Sequence, residues 1–350
     1  MKNWFYLLPV GAAIFVASCS KKNNETKQVN ISEESYNQAK ALFKSVSGRA
    51  TSDENPLTPE KIELGKVLYY DTRLSKDGNI SCNSCHNLAT FGVDNKATSP
   101  GDDGTLGERN SPTVLNAAFH STQFWDGRAK DVEEQAGMPI LNPVEMAIPS
   151  EQFLVDRLSQ IAEYKDLFVK AFPTDENPVS YNNIKKSIAA FERTLITPSP
   201  FDSFLNGNKS ALTAQQISGL ETFVKVGCTA CHNGSLMGGN MFQKFGVYSD
   251  YRTLTNSKVN DEGRKKVTNQ EADKDMFKVP SLRNIAKTAP YFHDGSVSNL
   301  NDAVKIMAKL NLNRDLTDQE IKDIVAFLES LTGDVPEKAK EIPAILSAKS

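Results

Sequence analysis

Two copies of the motif C-x-x-C-H constrain this chain more than any other feature. They lie 146 residues apart and read Cys82-Asn-Ser-Cys85-His86 and Cys228-Thr-Ala-Cys231-His232. This spacing is the attachment signal of a c-type haem. Each cysteine forms a thioether with a haem vinyl group, and the histidine that follows ligates the iron. The sequence therefore predicts two covalently bound haems c.

Paired cysteines have other uses, namely two short disulfides, a redox C-x-x-C motif or a zinc site of four thiolates. None of these needs a histidine directly after each pair. The only other histidines are His120 and His293. Bis-histidine ligation of both irons would therefore require both of them. The sixth ligand of each iron decides whether that iron can bind a substrate or only transfers electrons.

Residues 1–18 have the pattern of an export signal. Lys2 precedes an apolar run from Trp4 to Ala17, which suits a signal peptide and is short for a membrane-spanning helix. The run ends at Cys19 and resembles a bacterial lipoprotein signal, in which lipid is attached to that cysteine; an ordinary secretory signal is the alternative. We expect a periplasmic protein with a lipid anchor at Cys19 and a flexible polar tether over residues 19–34.

Composition and periodicity indicate the fold class. The chain has 350 residues with a formal net charge of −3, and it lacks the basic excess that nucleic-acid binding needs. Helical stripes or caps occur at the following places: residues 35–46, Thr58, residues 150–168, residues 184–195, and capping boxes at Thr213 and Thr317. A helix that leads into C-x-x-C-H, with a late amphipathic helix behind it, resembles a small class I cytochrome c.

These signals predict a mainly α fold with two cytochrome c-like haem domains. Long loops at 89–127 and 233–298 would wrap the haems, since stretches of that length are usually functional. The Pro198-Ser199-Pro200 segment is the best boundary. We expect an N-terminal haem domain at 35–199, a C-terminal haem domain at 200–335 and a tail at 336–350.

Eight segments, in a constant order, resemble the bacterial dihaem cytochrome c peroxidases over about residues 55–335. They are LGKVLYYDTRLS (64–75), CNSCHNLATFGVDN (82–95), RNSPTVLNAAF (109–119), FWDGRA (124–129), NPVEM (142–146), CTACHNG (228–234), FKVPSLRNIAKTAPYFHDGS (277–296) and LTDQEIKDIVAFLESLTG (316–333). The resemblance implies that the haem on His86 is the low-potential peroxidatic centre. The haem on His232 would be the high-potential centre that accepts electrons.

The resemblance also implies that Met307 is the second axial ligand of the His232 haem. On its own, Met307 would be interpreted as a core methionine on a helical stripe. A thioether ligand raises the iron potential, which suits an electron donor to the other haem. A related dihaem enzyme, which oxidises tryptophans in the precursor of methylamine dehydrogenase, carries tyrosine at this position. Met307 therefore favours a peroxidase.

Three further residues take catalytic roles by the same resemblance. Glu145 would move the proton between the two peroxide oxygens; from the sequence alone it would be a helix-start or salt-bridge glutamate. Gln135 would orient peroxide through its amide. Trp125 would relay electrons between the haems, although a packing role between the domains is the alternative.

A calcium site between the domains is implied as well. Its ligands would be Asn110, Thr288 and Pro290, whose amide and carbonyl oxygens suit Ca²⁺. No pattern in the residues themselves points to this site. His293 is expected to serve structure or the haem environment.

The chain departs from the family in one loop. Many members hold a histidine there that blocks the peroxidatic iron until the other haem is reduced, and Asp102 stands at that position. A carboxylate is a poor ligand for a low-spin c-type haem. Our hypothesis is that the His86 iron is five-coordinate or water-bound in the all-ferric protein. The rival is that His120 takes the blocking role.

The expected reaction is reduction of hydrogen peroxide to water with electrons from a small cytochrome c or a cupredoxin. A non-peroxidatic dihaem oxidase of a protein or organic substrate is the main alternative. An electron-transfer protein without a substrate site is a weaker one. The sequence leaves open whether the chain forms a homodimer.

Overall fold

The structure is a computed structural model that describes residues 1, 2, 4 and 31–347. The described residues are mainly helical, and the helices are α1 (Glu33–Leu42), α2 (Pro59–Tyr70), α3 (Cys82–Cys85), α4 (Val132–Leu141), α5 (Glu151–Ser159), α6 (Ala162–Ala171), α7 (Tyr181–Glu192), α8 (Pro200–Leu205), α9 (Ala214–Val226), α10 (Arg252–Thr255), α11 (Lys265–Thr268), α12 (Leu300–Leu312), α13 (Asp318–Glu329), α14 (Glu337–Lys340) and α15 (Ala344–Ser347). Strands β1 (Phe242–Lys244) and β2 (Met276–Lys278) pair antiparallel, with Phe242 opposite Lys278. The predicted mainly α fold is confirmed.

Side-chain caps fix the start of several predicted helices. The Thr58 hydroxyl accepts a hydrogen bond from the backbone N–H of Lys61 at 3.2 Å, and the capping boxes at Thr213 and Thr317 both form. The helix expected over residues 150–168 is instead divided into α5 and α6, because Ile161 is extended. α9 ends at Gly227 with a φ of 102°, so the chain turns directly into the second haem motif.

The same helix crossing occurs in each half of the molecule. α2 crosses α7 at Gly65, where a Cβ would overlap the carbonyl oxygen of Ser187. α9 crosses α13 at Gly219, where a Cβ would overlap the carbonyl oxygen of Asp323. In both crossings the helix that leads to a haem motif packs on the last helix of its half. We call the half built on α2 and α7 the first haem unit, and the half built on α9 and α13 the second haem unit.

The long loops contain a second repeat, in which residues 109–129 correspond to residues 277–297. Phe-Trp-Asp-Gly at 124–127 matches Phe-His-Asp-Gly at 292–295, and both phenylalanines have a positive φ (66° and 70°). Asn116 and Asn284, which also lie 168 residues apart, are both left-handed, and both donate to the Thr197 hydroxyl, at 2.8 and 2.9 Å.

The repeated loops meet through reciprocal backbone hydrogen bonds. The N–H of Asn110 donates to the carbonyl of His293 at 2.7 Å. Its counterpart, the N–H of Lys278, donates to the carbonyl of Trp125, also at 2.7 Å. The two haem units are therefore related by an approximate two-fold axis that passes between these loops.

The two chain ends are exchanged between the haem units. α1 packs in the core of the second unit, where the Tyr36 hydroxyl donates to the carbonyl of Phe204 at 3.2 Å. Residues 335–346 pack against the first unit instead, and the Tyr70 hydroxyl donates to the carbonyl of Ala339 at 2.8 Å. This packing differs from the predicted domains at 35–199 and 200–335 with a separate tail, because a helical stripe shows that one face is buried but not against what.

The start of the chain also bears on the predicted tether over residues 19–34. Ile31 is already buried in the core of the second unit, and α1 begins two residues later. Cys19 lies outside the described residues. Among residues 31–347, none of the helices has the length and apolar composition to cross a membrane.

Candidate functional site

The second haem motif opens onto a large apolar cavity. Cys228, Cys231 and His232 line it from the end of α9, and Met307 lines it from α12. The structure thus brings together the two residues that the sequence predicts as axial ligands of this haem. Much of the remaining wall is apolar, with contributions from Phe223, Leu282, Leu300, Val304, Leu316 and Leu328. A planar apolar macrocycle fits this lining and the four donor groups.

His232 is held in the orientation that an iron ligand needs. Its Nδ1 lies 2.8 Å from the carbonyl oxygen of Met237 and is the donor in that pair, which leaves Nε2 for the metal. Burial lowers the pKa of His232, against a smaller opposite effect of the Met237 backbone. The ring is therefore neutral at pH 7, as ligation requires.

The first haem motif forms the short helix α3 and ends at His86. The Tyr69 hydroxyl, on the buried face of α2, donates to the carbonyl of His86 at 2.5 Å. Burial lowers the pKa of His86, and the Pro112 and Gly92 backbone has a smaller opposite effect. Burial also raises the pKa of the Cys82 thiol and raises that of Cys228 to about 12. Unmodified, these thiols would be protonated, which suits attachment sites better than redox-active thiolates.

The alternative uses of the cysteines receive no support from the described residues. Among residues 31–347, none of the four cysteines of the haem motifs forms a disulfide. Among residues 31–347, no group of three or more histidine, cysteine, aspartate or glutamate side chains could hold a metal ion, so a four-thiolate zinc site does not form there.

Glu145 lies close to the first haem motif. It follows α4 and is half-buried, and its backbone carbonyl accepts a hydrogen bond from the N–H of Asp102 at 2.7 Å. Burial raises the pKa of Glu145, against smaller effects of Arg128 and Asn142. Burial is also the main reason that the pKa of the Cys85 thiol is raised, and the charge of Glu145 adds to it. A carboxyl group with a raised pKa beside this motif can both accept and return a proton.

Gln135 lies on α4, and the turn that carries Glu145 follows this helix directly. Its side chain is half-buried and makes no hydrogen bond with residues 31–347. No hydrogen bond joins Gln135 to Glu145 or His86 in that part of the chain. Its predicted role toward peroxide therefore stays a prediction.

The carboxylate of Asp102 is fully engaged by the turn that precedes the first haem motif. It accepts hydrogen bonds from the Ser75 hydroxyl at 2.7 Å and from the backbone N–H groups of Asp77 and Asn79 at 2.7 and 3.1 Å. Although burial acts to raise it, these three hydrogen bonds lower the pKa of Asp102. Asp102 therefore anchors this turn, and both of its carboxylate oxygens are used in doing so.

His120, the rival blocking ligand, lies at the cavity of the second haem motif. It lines the cavity of the second motif, and its Nδ1 is 2.9 Å from the Nζ of Lys278. Its ring also lies against the backbone of Gly239. This position argues against a blocking role at the His86 iron. Lys278 itself was not singled out by the sequence, although aligning residues 109–129 with 277–297 would have drawn attention to it.

Trp125 lies where the two units meet. Its indole Nε1 donates to the carbonyl of Asn110 at 2.9 Å, and its ring lines the second cavity and packs in the cluster that includes Met307. The buried ring of His293 lies 6.4 Å from the Trp125 ring, edge to face. His293 is stacked on Phe277 at 4.2 Å. This placement is consistent both with electron relay and with packing.

Asn110, Thr288 and Pro290 all border the same cavity. The Asn110 amide Nδ2 donates to the carbonyls of Lys96 and Ala97, at 2.8 and 3.4 Å. Among residues 31–347, the carbonyls of Thr288 and Pro290 accept no hydrogen bond. The three residues therefore offer oxygen atoms at one cavity, without an acidic side chain among them.

A buried charge network also joins the two units, and the sequence did not predict it. Arg109 donates to both oxygens of Asp261, at 2.6 and 2.9 Å, and to Asp126 at 2.6 Å. Asp261 lies in the long loop before β2 and is only 2% exposed. Although burial acts to raise it, Arg109 lowers the pKa of Asp261 to about 2.

Comparison with known proteins agrees with this geometry. Residues 59–210 match the family model described as di-haem cytochrome c peroxidase, and residues 217–332 match that of cytochrome c. The chain is 47% identical to a cytochrome c551 peroxidase of Pseudomonas aeruginosa over 305 residues, which cover 86% of this chain and 87% of that protein.

Two further similarities widen the range of functions. A methylamine utilization protein MauG of Methylorubrum extorquens is 34% identical over 338 residues, which cover 93% of this chain and 92% of that protein. The crystal structure of a MauG-like protein associated with microbial copper homeostasis superimposes with a TM-score of 0.76 at 29% identity. It covers 86% of this chain and 98% of that chain.

Proposed function

Because this chain belongs to the di-haem cytochrome c peroxidase family, we propose that it reduces hydrogen peroxide at the His86 haem and receives electrons through the His232 haem. The family is one of oxidoreductases that carry two haems c. Cys82, Cys85 and His86 would hold the first haem. Cys228, Cys231, His232 and Met307 would hold the second. The haem irons supply the electron transfer and the site of peroxide binding.

The position of Glu145 is the observation that carries this proposal. Its carboxyl group is half-buried beside the first haem motif, and burial raises its pKa. It would take the proton from one peroxide oxygen and return it to the other as the O–O bond breaks. Arg128, whose charge acts on Glu145, would keep the carboxyl group able to release that proton. Gln135 would orient peroxide from the neighbouring helix.

Exchanging Glu145 for glutamine tests the proposal. We expect Glu145→Gln to lower peroxide-dependent oxidation of ferrocytochrome c by about 10²–10⁴-fold, because the amide cannot carry the proton. The potential of the His232 haem should stay unchanged. Glu151→Gln, in an exposed glutamate at the start of α5, is the matched control. Full activity in Glu145→Gln would contradict the proposed role.

The His86 iron is proposed to be accessible without prior reduction of the other haem. The hydrogen bonds of Asp102 and the position of His120 at the second cavity support this. Turnover from the all-ferric enzyme should begin at the full rate, and its EPR spectrum should contain a high-spin haem signal. A lag that pre-reduction removes would mean that another ligand controls the iron.

A non-peroxidatic oxidase is the second candidate, because the chain is 34% identical to a MauG protein over nearly its full length. Met307 in the second cavity favours the peroxidase. Turnover assays with a cytochrome c and with a copper protein as donor distinguish the two candidates. Absence of peroxide turnover with both donors would favour the oxidase.

We also propose a calcium ion held by Asn110, Thr288 and Pro290, where the amide and two free carbonyls supply oxygen ligands.

The electron donor would be a small cytochrome c or a cupredoxin. A periplasmic location with a lipid on Cys19 stays a proposal, and mass spectrometry of the intact protein would detect the lipid. The division into two haem domains near residue 199 also stays a proposal. It is modified in that α1 packs on the second unit and residues 335–346 pack on the first.

A further inference from the structure

The approximate two-fold axis relates the proposed calcium ligands to a second set of residues. A shift of 168 residues converts each ligand into its counterpart in the other loop. Asn110, Thr288 and Pro290 thereby correspond to Lys278, His120 and Thr122. The reciprocal hydrogen bonds between Asn110 and His293 and between Lys278 and Trp125 show that this correspondence holds in space.

The Lys278 ammonium occupies the middle of the second set. Its Nζ lies 2.9 Å from the carbonyl oxygen of Thr122 and 2.9 Å from the Nδ1 of His120. Lysine can only donate, so His120 accepts through Nδ1 and carries its proton on Nε2. The Thr122 carbonyl, which binds this cation, corresponds to the Pro290 carbonyl, which accepts no hydrogen bond among residues 31–347.

Lys278 is buried, so the atoms around it show how the two sets of corresponding residues differ. Lys278 is 6% exposed, and within the described ranges no carboxylate lies within ion-pair distance of its Nζ. A buried ammonium without an anionic partner needs several electron-donating atoms around it. The set with Lys278 therefore contains its own cation beside an imidazole nitrogen and a carbonyl oxygen. The set with Asn110 instead has a neutral amide and two carbonyls that accept no hydrogen bond among residues 31–347.

We propose that the Lys278 ammonium is a built-in cation that takes, on one side of the two-fold axis, the place that calcium takes on the other. The inference rests on the proposed calcium site and deepens it. It explains why one metal ion would serve two similar haem units. It also predicts that the two sides can be interconverted by exchanging asparagine and lysine.

Asn110→Lys and Asn110→Ala test the inference in the haem-loaded full-length protein. Burial lowers the pKa of Lys278 to about 7, against an opposite effect of Asp126, so the work is done at pH 6, where the ammonium is charged. Calcium binding is measured by isothermal titration calorimetry, and thermal unfolding is measured with and without a chelator. Lys244→Asn, an exposed position on β1, controls for a change of charge.

The wild type should bind one calcium ion, which raises the melting temperature by about 4 °C when its concentration is a hundredfold above Kd. Asn110→Ala should bind none and melt like the calcium-free wild type. Asn110→Lys should also bind none, yet melt near the calcium-loaded wild type. Lys278→Asn should bind two ions, and it decides the matter if Asn110→Lys does not fold.

Two negative results have different meanings. If the wild type binds no calcium, the proposed calcium site itself is wrong and the inference is withdrawn with it. If the wild type binds one ion but Asn110→Lys melts as low as Asn110→Ala, the calcium site stands and the lysine substitution is overturned. A stoichiometry of one in Lys278→Asn overturns it as well.

Discussion

The two haem units share a helix crossing and a wrapping loop, but they differ in what surrounds the haem motif. The second unit lines its cavity with apolar side chains and a thioether, Met307. The first unit places a half-buried carboxyl group, Glu145, beside its motif, and it uses the carboxylate of Asp102 to hold a turn. With the proposed function, a common scaffold would support electron transfer on one side and proton chemistry on the other, through changes in a few side chains.

Replacing Met307, the proposed thioether ligand, should have the largest effect on the difference between the two haem units. We expect Met307→His to lower the potential of the second haem by on the order of 0.2 V, because imidazole stabilises the ferric iron more than a thioether does. Spectroelectrochemical titration measures both haems together. The potential of the first haem serves as the internal control, and an unchanged second potential would mean that Met307 is not a ligand.

Substitutions of the glycines at the two helix crossings should have the second largest effect. Gly65→Ala and Gly219→Ala each place a methyl group on the backbone of the facing helix. Either should lower the free energy of unfolding by at least about 3 kcal/mol, because the helices must move apart. Denaturant unfolding measures the loss. Gly107→Ala is the control, because this glycine has no positive φ and its added Cβ would make only an ordinary contact at 3.5 Å with the carbonyl oxygen of Ser99. A loss in only one of the two variants would show that the crossings are not equivalent.

Asp261 should give the interface a pH dependence. Its pKa is about 2 in the folded protein and about 3.8 in the unfolded chain, so it stabilises the fold above pH 4 and loses this contribution as the pH falls toward 2. The shift corresponds to about 2 kcal/mol. The difference in unfolding free energy between wild type and Asp261→Asn should shrink over that range. Asp166→Asn, on an exposed face of α6, should show no such trend.

The smallest effect is expected at Asp102. Asp102→Asn removes the charge but keeps one acceptor oxygen, and should cost about 1 kcal/mol of stability. If Asp102 only anchors the turn, the high-spin EPR signal of the first haem should not change. Asp103→Asn, in the exposed neighbour, is the control. A changed spin state in Asp102→Asn alone would place the carboxylate near the iron.

The sequence predicted those features that depend on residues close together in the chain. The capping boxes at Thr213 and Thr317 form because donor and acceptor lie three residues apart, and the C-x-x-C-H spacing is equally local. Resemblance supplied Met307 and Glu145, which spacing alone could not. The packing partner of α1 was not predictable. The helical stripe with Tyr36 and Phe43 shows that one face of α1 is buried, but it does not identify the helices against which that face packs.

The repeat between the two loops was missed for a physical reason. Asn116 and Asn284 are alike because both adopt the left-handed conformation that asparagine favours, whereas corresponding loop positions such as Asn110 and Lys278 differ. The contact of Lys278 with His120 joins residues 158 apart in the chain and leaves no local pattern. The hydrogen bonds of Asp102 are hidden in the same way, although Ser75 is much nearer in sequence.

The exchanged chain ends determine the order in which the molecule can be completed during synthesis. α1 is made early but has no partner until residues 200–331 have followed it. The first haem unit, although its own helices come first, lacks the cover over Tyr69 and Leu88 until Val335 and Ala339 have left the ribosome. Each haem unit therefore gains part of its core packing only after a distant segment of the chain has been made.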